Sequence, residues 1–440
     1  MKLNVPTLTP IDRLAGGAGA PAAKQDPFSL LLRATCACLL WENRAYESGD
    51  AGALNIATLV PQCDPHRVAE LAVELRTKQG LRHVPLLLMR ELARHQRSRH
   101  LLGEFLPKVI QRADEISEFL AIYWKDDPVD KKQPIAHQVK VGLGRALRKF
   151  DAYQLAKYKG SKNNTVGLKD VMFLVHAHPT GEKAKEKKDR YWRQATPNEE
   201  MLTQLNEKEI MYHQLANDTL PIPLTRETML SASTSADEQR KGFEDMLINR
   251  KLGVNAMLKS LRKMAEVGVK EGLVKEALLT ARPDKLLPLD FVSAFSAAPQ
   301  YKVELSILMQ KCMQKFTKLE GRSVFVIDVS GSMSCQISSK SEFDRIDAAV
   351  ALAIMVIEMC EYVDVYLTAG VSGHKTVLYT GPKGLDMLQG VRERVPALGG
   401  GGIYTAQMLD FLRKEDGGKY EGVPARIIVF SDSQDCDRSY

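Results

Sequence analysis

Three oxygen-bearing side chains fall at alternate positions in the run Asp328-Val329-Ser330-Gly331-Ser332. One carboxylate and two hydroxyls form a donor set for a hard divalent cation, which takes oxygen ligands and often keeps waters. Mg2+ is the first choice. Held by one carboxylate, such an ion keeps positive charge and would accept an anionic ligand. An ordinary Asp/Ser turn is the plain alternative. A second set is cationic. Lys157, Lys159 and Lys162 surround Gly160, Asn163 and Asn164, a loop whose ammonium and amide groups suit phosphate oxygens. His176 and His178 follow. They lack the third and fourth ligands that a zinc site needs nearby. A histidine hydrogen-bonded at a helix end, close to a polyanion, is the better reading of His176.

Charge supports a polyanion partner. Residues 137–193 carry 14 Lys and Arg against five acids, a net +9. The rest of the chain, 47 basic residues against 49 acidic, sits at −2. A near-neutral scaffold with one concentrated basic region is the electrostatic footprint of a nucleic acid. A smaller cluster has five Arg between Arg82 and Arg99, with Glu91 among them. Solvated helix faces are the alternative for both. Tyr153, Tyr158, Tyr191 and Trp192 lie in or beside the basic region, where aromatic rings would stack unpaired bases. Each serves equally well as a half-buried packing ring.

Two kinds of element must position these groups. From residue 27 to 320 the apolar spacing is helical nearly throughout, as in Val68, Leu71, Val73 and Leu75, and again in Val254, Met257, Leu258, Leu261 and Met264. Pro61, Pro85, Pro107, Pro134, Pro179, Pro221 and Pro223 punctuate the series. Paired helices over such a length suggest an α-solenoid, although no strict period emerges. Residues 1–26, with GGAGAPAA, read as a flexible segment. From 322 the pattern becomes α/β. Strand-like runs at 323–328, 363–369, 375–379 and 426–430 alternate with helices near 343–360 and 404–414, predicting a mostly parallel sheet. The Asp328 loop then sits at the carboxyl end of a buried strand, where open α/β sheets keep their sites. The boundary falls at 318–321. No apolar run of about 18 residues exists, so no membrane span is expected. Seven scattered cysteines without a CxxC suggest thiols in a reducing compartment, hence cytoplasm.

The DxSxS loop after its strand resembles the metal-ion-dependent adhesion site of a von Willebrand A domain. GRALRK at 144–149, KYK at 157–159, LKDVMFLVHAHP at 168–179 and the VIDVSGSMS loop together resemble the Ro autoantigen proteins, whose helical module is the TROVE domain. That resemblance implies a HEAT-like helical-repeat ring over 27–320, closed by a Rossmann-like von Willebrand A domain over 322–440. It implies a monomer that binds small non-coding RNA without catalysis. Single-stranded 3′ ends of misfolded RNA would enter the ring, Y-like RNAs would occupy the outer basic surface, and an exoribonuclease is an implied partner. The RNA-contacting positions carried over are Lys157, Lys159 and His176, with Arg145, Arg148 and Lys149 of GRALRK beside them. Lys162 joins by charge alone. The metal ligands carried over are Asp328, Ser330, Ser332 and Asp432 of IIVFSDSQ. The threonine usual in such sites falls on Ile403 of GGGGIYTA, which leaves Thr405 as the candidate. Such domains usually continue beyond the strand at 426–430, so the α/β part is expected to be truncated.

Two other functions compete. A protein-interaction adaptor would use the metal to hold a partner's carboxylate. A nuclease would use His176 and His178, but no acidic cluster accompanies them.

Overall fold

The computed structural model describes residues 26–38, 40, 48–128, 132–158, 166–180, 192–193, 199–283, 286–314, 316–337, 341–419, 424–432 and 435–437. The chain packs as two compact units that divide between Leu224 and Thr225. Of the segment 1–26 expected to be flexible, residues 1–25 lie outside the described residues. Among the described residues no helix is long and apolar enough to cross a membrane.

The first unit is helical. Its site-bearing part runs through α1 (Pro65–Thr77), α2 (His83–Arg94), α3 (Leu102–Val109), α4 (Asp114–Tyr123), α5 (His137–Leu147), α6 (Ala152–Lys157), α7 (Leu168–Leu174) and α8 (Glu207–Ala216). Side chains accept hydrogen bonds from first-turn N–H groups at several starts: Asp64 from Arg67 at 2.9 Å, Asp151 from Gln154 at 2.8 Å and Asn206 from Glu209 at 3.0 Å. Every residue of α2 from Val84 to Ala93 is buried, Arg90 and Glu91 included. A buried charge needs a partner; Arg90 and Glu91 pair with each other, and α4 with its C-terminal flank supplies further carboxylates. Arg82 pairs with Asp114 and Glu118, and Arg90 and Arg94 pair with Asp126 just beyond α4. Arg76 of α1 reaches Glu115, whose side chain is fully buried. Three of the five arginines between 82 and 99 therefore hold the fold together. The second basic cluster read from the sequence is in the main an intramolecular ion-pair ladder.

Close packing between α3 and α5 rests on a missing side chain. A Cβ at Gly142 would stand 2.6 Å from the Leu102 carbonyl oxygen and 3.1 Å from Leu106. The helices can approach this closely only with glycine there.

The second unit carries the sheet. β1 (Leu319–Asp328) is the middle of it, paired in parallel with β2 (Cys360–Ala369) and β4 (Arg426–Phe430). β3 (Lys375–Leu378) runs antiparallel to β2, giving the order β3-β2-β1-β4. Val324 to Ile327 are fully buried, as an apolar β-branched run in a central parallel strand should be. One face packs Phe325 and Ile327 with Ile346, Val350 and Ile354 of the helix Arg345–Glu358. The other packs Val324 and Val326 with Met408 and Leu412 of the helix Thr405–Lys419. The helices Pro288–Ala297 and Lys302–Met313 also pack against Arg345–Glu358. The helix-to-strand change thus comes near 318, as the composition indicates, whereas the packing divides at 224/225. β4 ends the sheet among the described residues, with Ile427 and Val429 exposed.

His83, at the start of α2, lies 3.7 Å from Glu118, yet burial and the neighbouring Arg82 push its pKa down to about 4. The imidazole is therefore neutral at pH 7. The folded state binds fewer protons than the unfolded chain between pH 6.5 and about 4, so stability is lost as pH falls through that window. His83→Gln should remove about 1–2 kcal/mol of that loss, after allowance for solvent screening. Urea unfolding of both proteins at pH 7 and pH 4.5 measures it, and equal losses contradict the assignment.

Candidate functional site

Cationic side chains of the first unit divide by what they touch. Arg145, in the last turn of α5, donates from Nη1 to the Gly103 carbonyl at 2.8 Å. Lys149 donates from Nζ to the carbonyls of Pro107 and Ile110 at 2.6 and 2.7 Å. These are orphan carbonyls at the end of α3, which a lysine satisfies well. Burial holds the Lys149 ammonium pKa below its usual value. Both residues latch α5 to α3, so the GRALRK motif is partly structural. Arg148 caps α5. Its carbonyl accepts from Lys208 at 2.7 Å. Lys169 pairs with Asp218 at 2.9 Å.

Lys157 and His176 stand differently. Lys157 ends α6, is exposed, and lies 5.3 Å from the Tyr158 ring centroid. Its ammonium makes no hydrogen bond or ion pair among the described residues. Tyr153, one helical turn back on the same face, is 50% exposed. An ammonium and an aromatic ring at i and i+4 can take a phosphate and a stacked base together. Tyr158 is half-buried, with the Arg112 guanidinium 5.0 Å from its ring centroid.

His176 follows α7 in the left-handed region, with φ 53°. The N–H of Ala177 donates to the Met172 carbonyl at 2.9 Å and that of His176 to Phe173 at 3.2 Å. This is a Schellman end, where glycine is the usual residue. A histidine there bears strain of about 1 kcal/mol. It is exposed, so packing does not explain its presence. His178 is half-buried, hydrogen-bonded to Thr180 at 2.9 Å and edge-on to Trp192. Trp192 is fully buried and packs edge-on against Tyr212. It is a packing ring, the plainer of the two readings weighed for it, and is not placed to stack a base. Lys159, Lys162 and Tyr191 lie outside the described residues.

The second unit assembles the oxygen set. Asp328 ends β1 with its side chain fully buried. It accepts from the Ser330 N–H at 2.8 Å and from the Ser431 hydroxyl at 3.0 Å. The hydroxyls of Ser330 and Ser332 lie 3.3 Å apart. Parallel pairing sets Ile327 beside Phe430, so the residues that follow, Asp328 on one strand and Ser431 and Asp432 on the other, emerge together. Asp432 pairs with Arg345, the first residue of the helix Arg345–Glu358. The glycine loop closes over the set, with Gly331 N–H donating to the Gly401 carbonyl at 3.0 Å. Ile403 is buried and supplies no oxygen. Thr405 faces, with Ile403, Val429, Ser431 and Asp435, a cavity of about 300 Å3. Its N–H donates to Asp435 at 3.2 Å.

Burial pushes the Asp328 carboxyl above the usual carboxylate range, and repulsion from Asp432 adds to this against the two serine hydrogen bonds. Among the described residues no three His, Cys, Asp or Glu cluster as a metal group and no cation pairs with Asp328; its carboxylate and the two hydroxyls are a donor set that a hard divalent ion could use. Asp328, Ser330 and Ser332 would be its nearest ligands, with Asp432 and Thr405 at the rim.

The architecture has a known counterpart. A crystal structure of the Deinococcus radiodurans Ro (RSR) protein matches with a TM-score of 0.53 at 14% identity, covering 93% of this chain and 97% of that one. The chain has the fold of a Ro protein. No protein-family model and no curated relative matches the sequence. At that identity the likeness speaks for the Ro fold, not for individual contacts. Arg76, Arg90 and Glu115, which hold the helices of the first unit, carried no motif, and the sequence offered no signal for them beyond charge inside an apolar run.

Asp328→Asn mimics the protonated carboxyl. Without divalent ions at pH 7 it should raise stability by about 1 kcal/mol, or about 3 °C in melting temperature. The same carboxylate makes the wild type gain stability as pH falls through its raised pKa. Adding Mg2+ should raise the melting temperature of the wild type and leave the variant unmoved. A variant less stable than wild type in EDTA contradicts this.

Proposed function

We propose that this chain is a Ro-type RNA-binding protein without catalysis of its own. It holds single-stranded 3′ ends of misfolded or unprocessed small RNAs, and Y-like RNAs on its outer basic surface, in RNA quality control or processing. The fold shared with a Ro protein is the observation that carries this reading. Lys157, Tyr153 and His176 support it. They are exposed, and the fold has no evident use for the first and a better residue than histidine for the last. Lys159 and Lys162 belong to the same proposed surface, with Arg148 at its border. Arg145 and Lys149 add charge while serving the packing.

The oxygen set of the second unit is proposed to hold Mg2+, with Asp328, Ser330, Ser332, Thr405 and Asp432 as ligands. The cavity beside Thr405 and Ser431 favours an additional adaptor role, in which the ion takes a partner's carboxylate. An exoribonuclease and a cytoplasmic location complete the proposal. The nuclease reading is the weaker one, since His178 already bonds Thr180 and packs edge-on to Trp192.

Binding through phosphate neutralisation makes log affinity fall with log salt, with a slope of about −0.7 per contact for single strands. Lys157→Ala should weaken binding of a 3′-tailed small RNA and flatten that slope by about 0.7. His176→Gly, which suits the left-handed backbone, should keep the fold and still weaken binding. Filter binding over a salt series, with a blunt duplex as control, measures both. An unchanged slope, or equal binding of tailed and blunt RNA, contradicts the reading.

A further inference from the structure

Arg345 is out of place by helix electrostatics. It is the first residue of the helix Arg345–Glu358, where the macrodipole disfavours a cation. The opening turn is otherwise suited to a helix start, since Asp344 caps it and Asp347 returns the bond to the Asp344 N–H at 3.1 Å. The Arg345 side chain is nevertheless only 17% exposed and is committed to Asp432, itself 7% exposed. Asp432 belongs to the proposed metal site, next in sequence to Ser431, which bonds Asp328. The other acids near the rim accept neutral N–H groups and keep their charge in wild type and variants alike, so only Asp328, Asp432 and Arg345 enter the charge difference. Asp435 accepts the N–H groups of Thr405 and Asp437, and Asp437 accepts those of Ala406 and Gln407.

Charge counting then separates two designs. Asp328 and Asp432 alone would present two negative charges to a divalent ion, neutralise it and hold it tightly. With Arg345 in place these three side chains sum to one negative charge, one fewer than without it, and the ion is less fully neutralised. We infer that Arg345 sets the affinity of this site, its guanidinium neutralising Asp432 so that a divalent cation is held weakly and exchangeably. The inference rests on the metal reading of Asp328, Ser330 and Ser332. Arg345 is a positioning residue that acts through its ion pair with Asp432 and is not itself a ligand of the ion. Its effect is the Coulomb repulsion of the ion and the competition for one carboxylate.

Mn2+ binding to the full chain, followed by the electron paramagnetic resonance of free Mn2+ at fixed ionic strength, tests it. Arg345→Gln should bind Mn2+ about tenfold or more tightly than wild type. Arg345→Lys, which keeps the charge, should stay within about threefold of wild type, a difference too small for loss of the cation. Arg345→Met serves if the glutamine variant melts near room temperature, with the same expectation. Unchanged or weaker binding in Arg345→Gln overturns the inference while leaving the metal site standing. No binding by wild type, Arg345→Gln and Arg345→Lys alike overturns the metal reading itself. Binding that persists in Asp328→Asn does the same.

Discussion

A cation packed against a folded chain must find oxygen, because leaving it desolvated and unpaired costs several kcal/mol. That constraint sorts the basic residues of this protein. Arg76, Arg82, Arg90 and Arg94 meet carboxylates of α4 and its flank. Arg145 and Lys149 meet carbonyls of α3. What remains for a ligand is the smaller group whose side chains stand in solvent, of which Lys157 is the best defined. Net charge overstates that group, because part of the +9 of residues 137–193 is spent internally.

The same constraint acts in reverse at the end of β1. There a carboxylate is buried and the missing partner is a cation. Two parallel strands bring Asp328 and Asp432 to one edge of the sheet, and Arg345 satisfies only the second. The fold tolerates Asp328 as a destabilised group, and under the proposed metal reading a divalent ion would offset that cost.

Much of this was legible in residue spacing. Ile346, Ala349, Val350, Ala353 and Ile354 read as a helix face and are buried on one. Val324 to Ile327 read as a central strand, and Asp328 fell where the strand ends. The roles of individual cations were not legible, since a lysine that latches two helices and a lysine that waits for phosphate look alike in sequence. Lys149 and Lys157 differ only in whether a helix end lies within reach. Trp192 went the same way, its stacking value cancelled by Tyr212 and His178 closing around it. The division of packing at 224/225 was hidden because the chain is helical on both sides of it.

The most direct test of the account is photochemical crosslinking of a 3′-tailed small RNA to the full chain, with the attached peptides identified by mass spectrometry. The account predicts adducts within residues 152–180, at Tyr153, Lys157 or His176, and their loss when the tail is base-paired. Adducts confined to the arginine ladder of α2, or to the sheet-bearing unit, would contradict it.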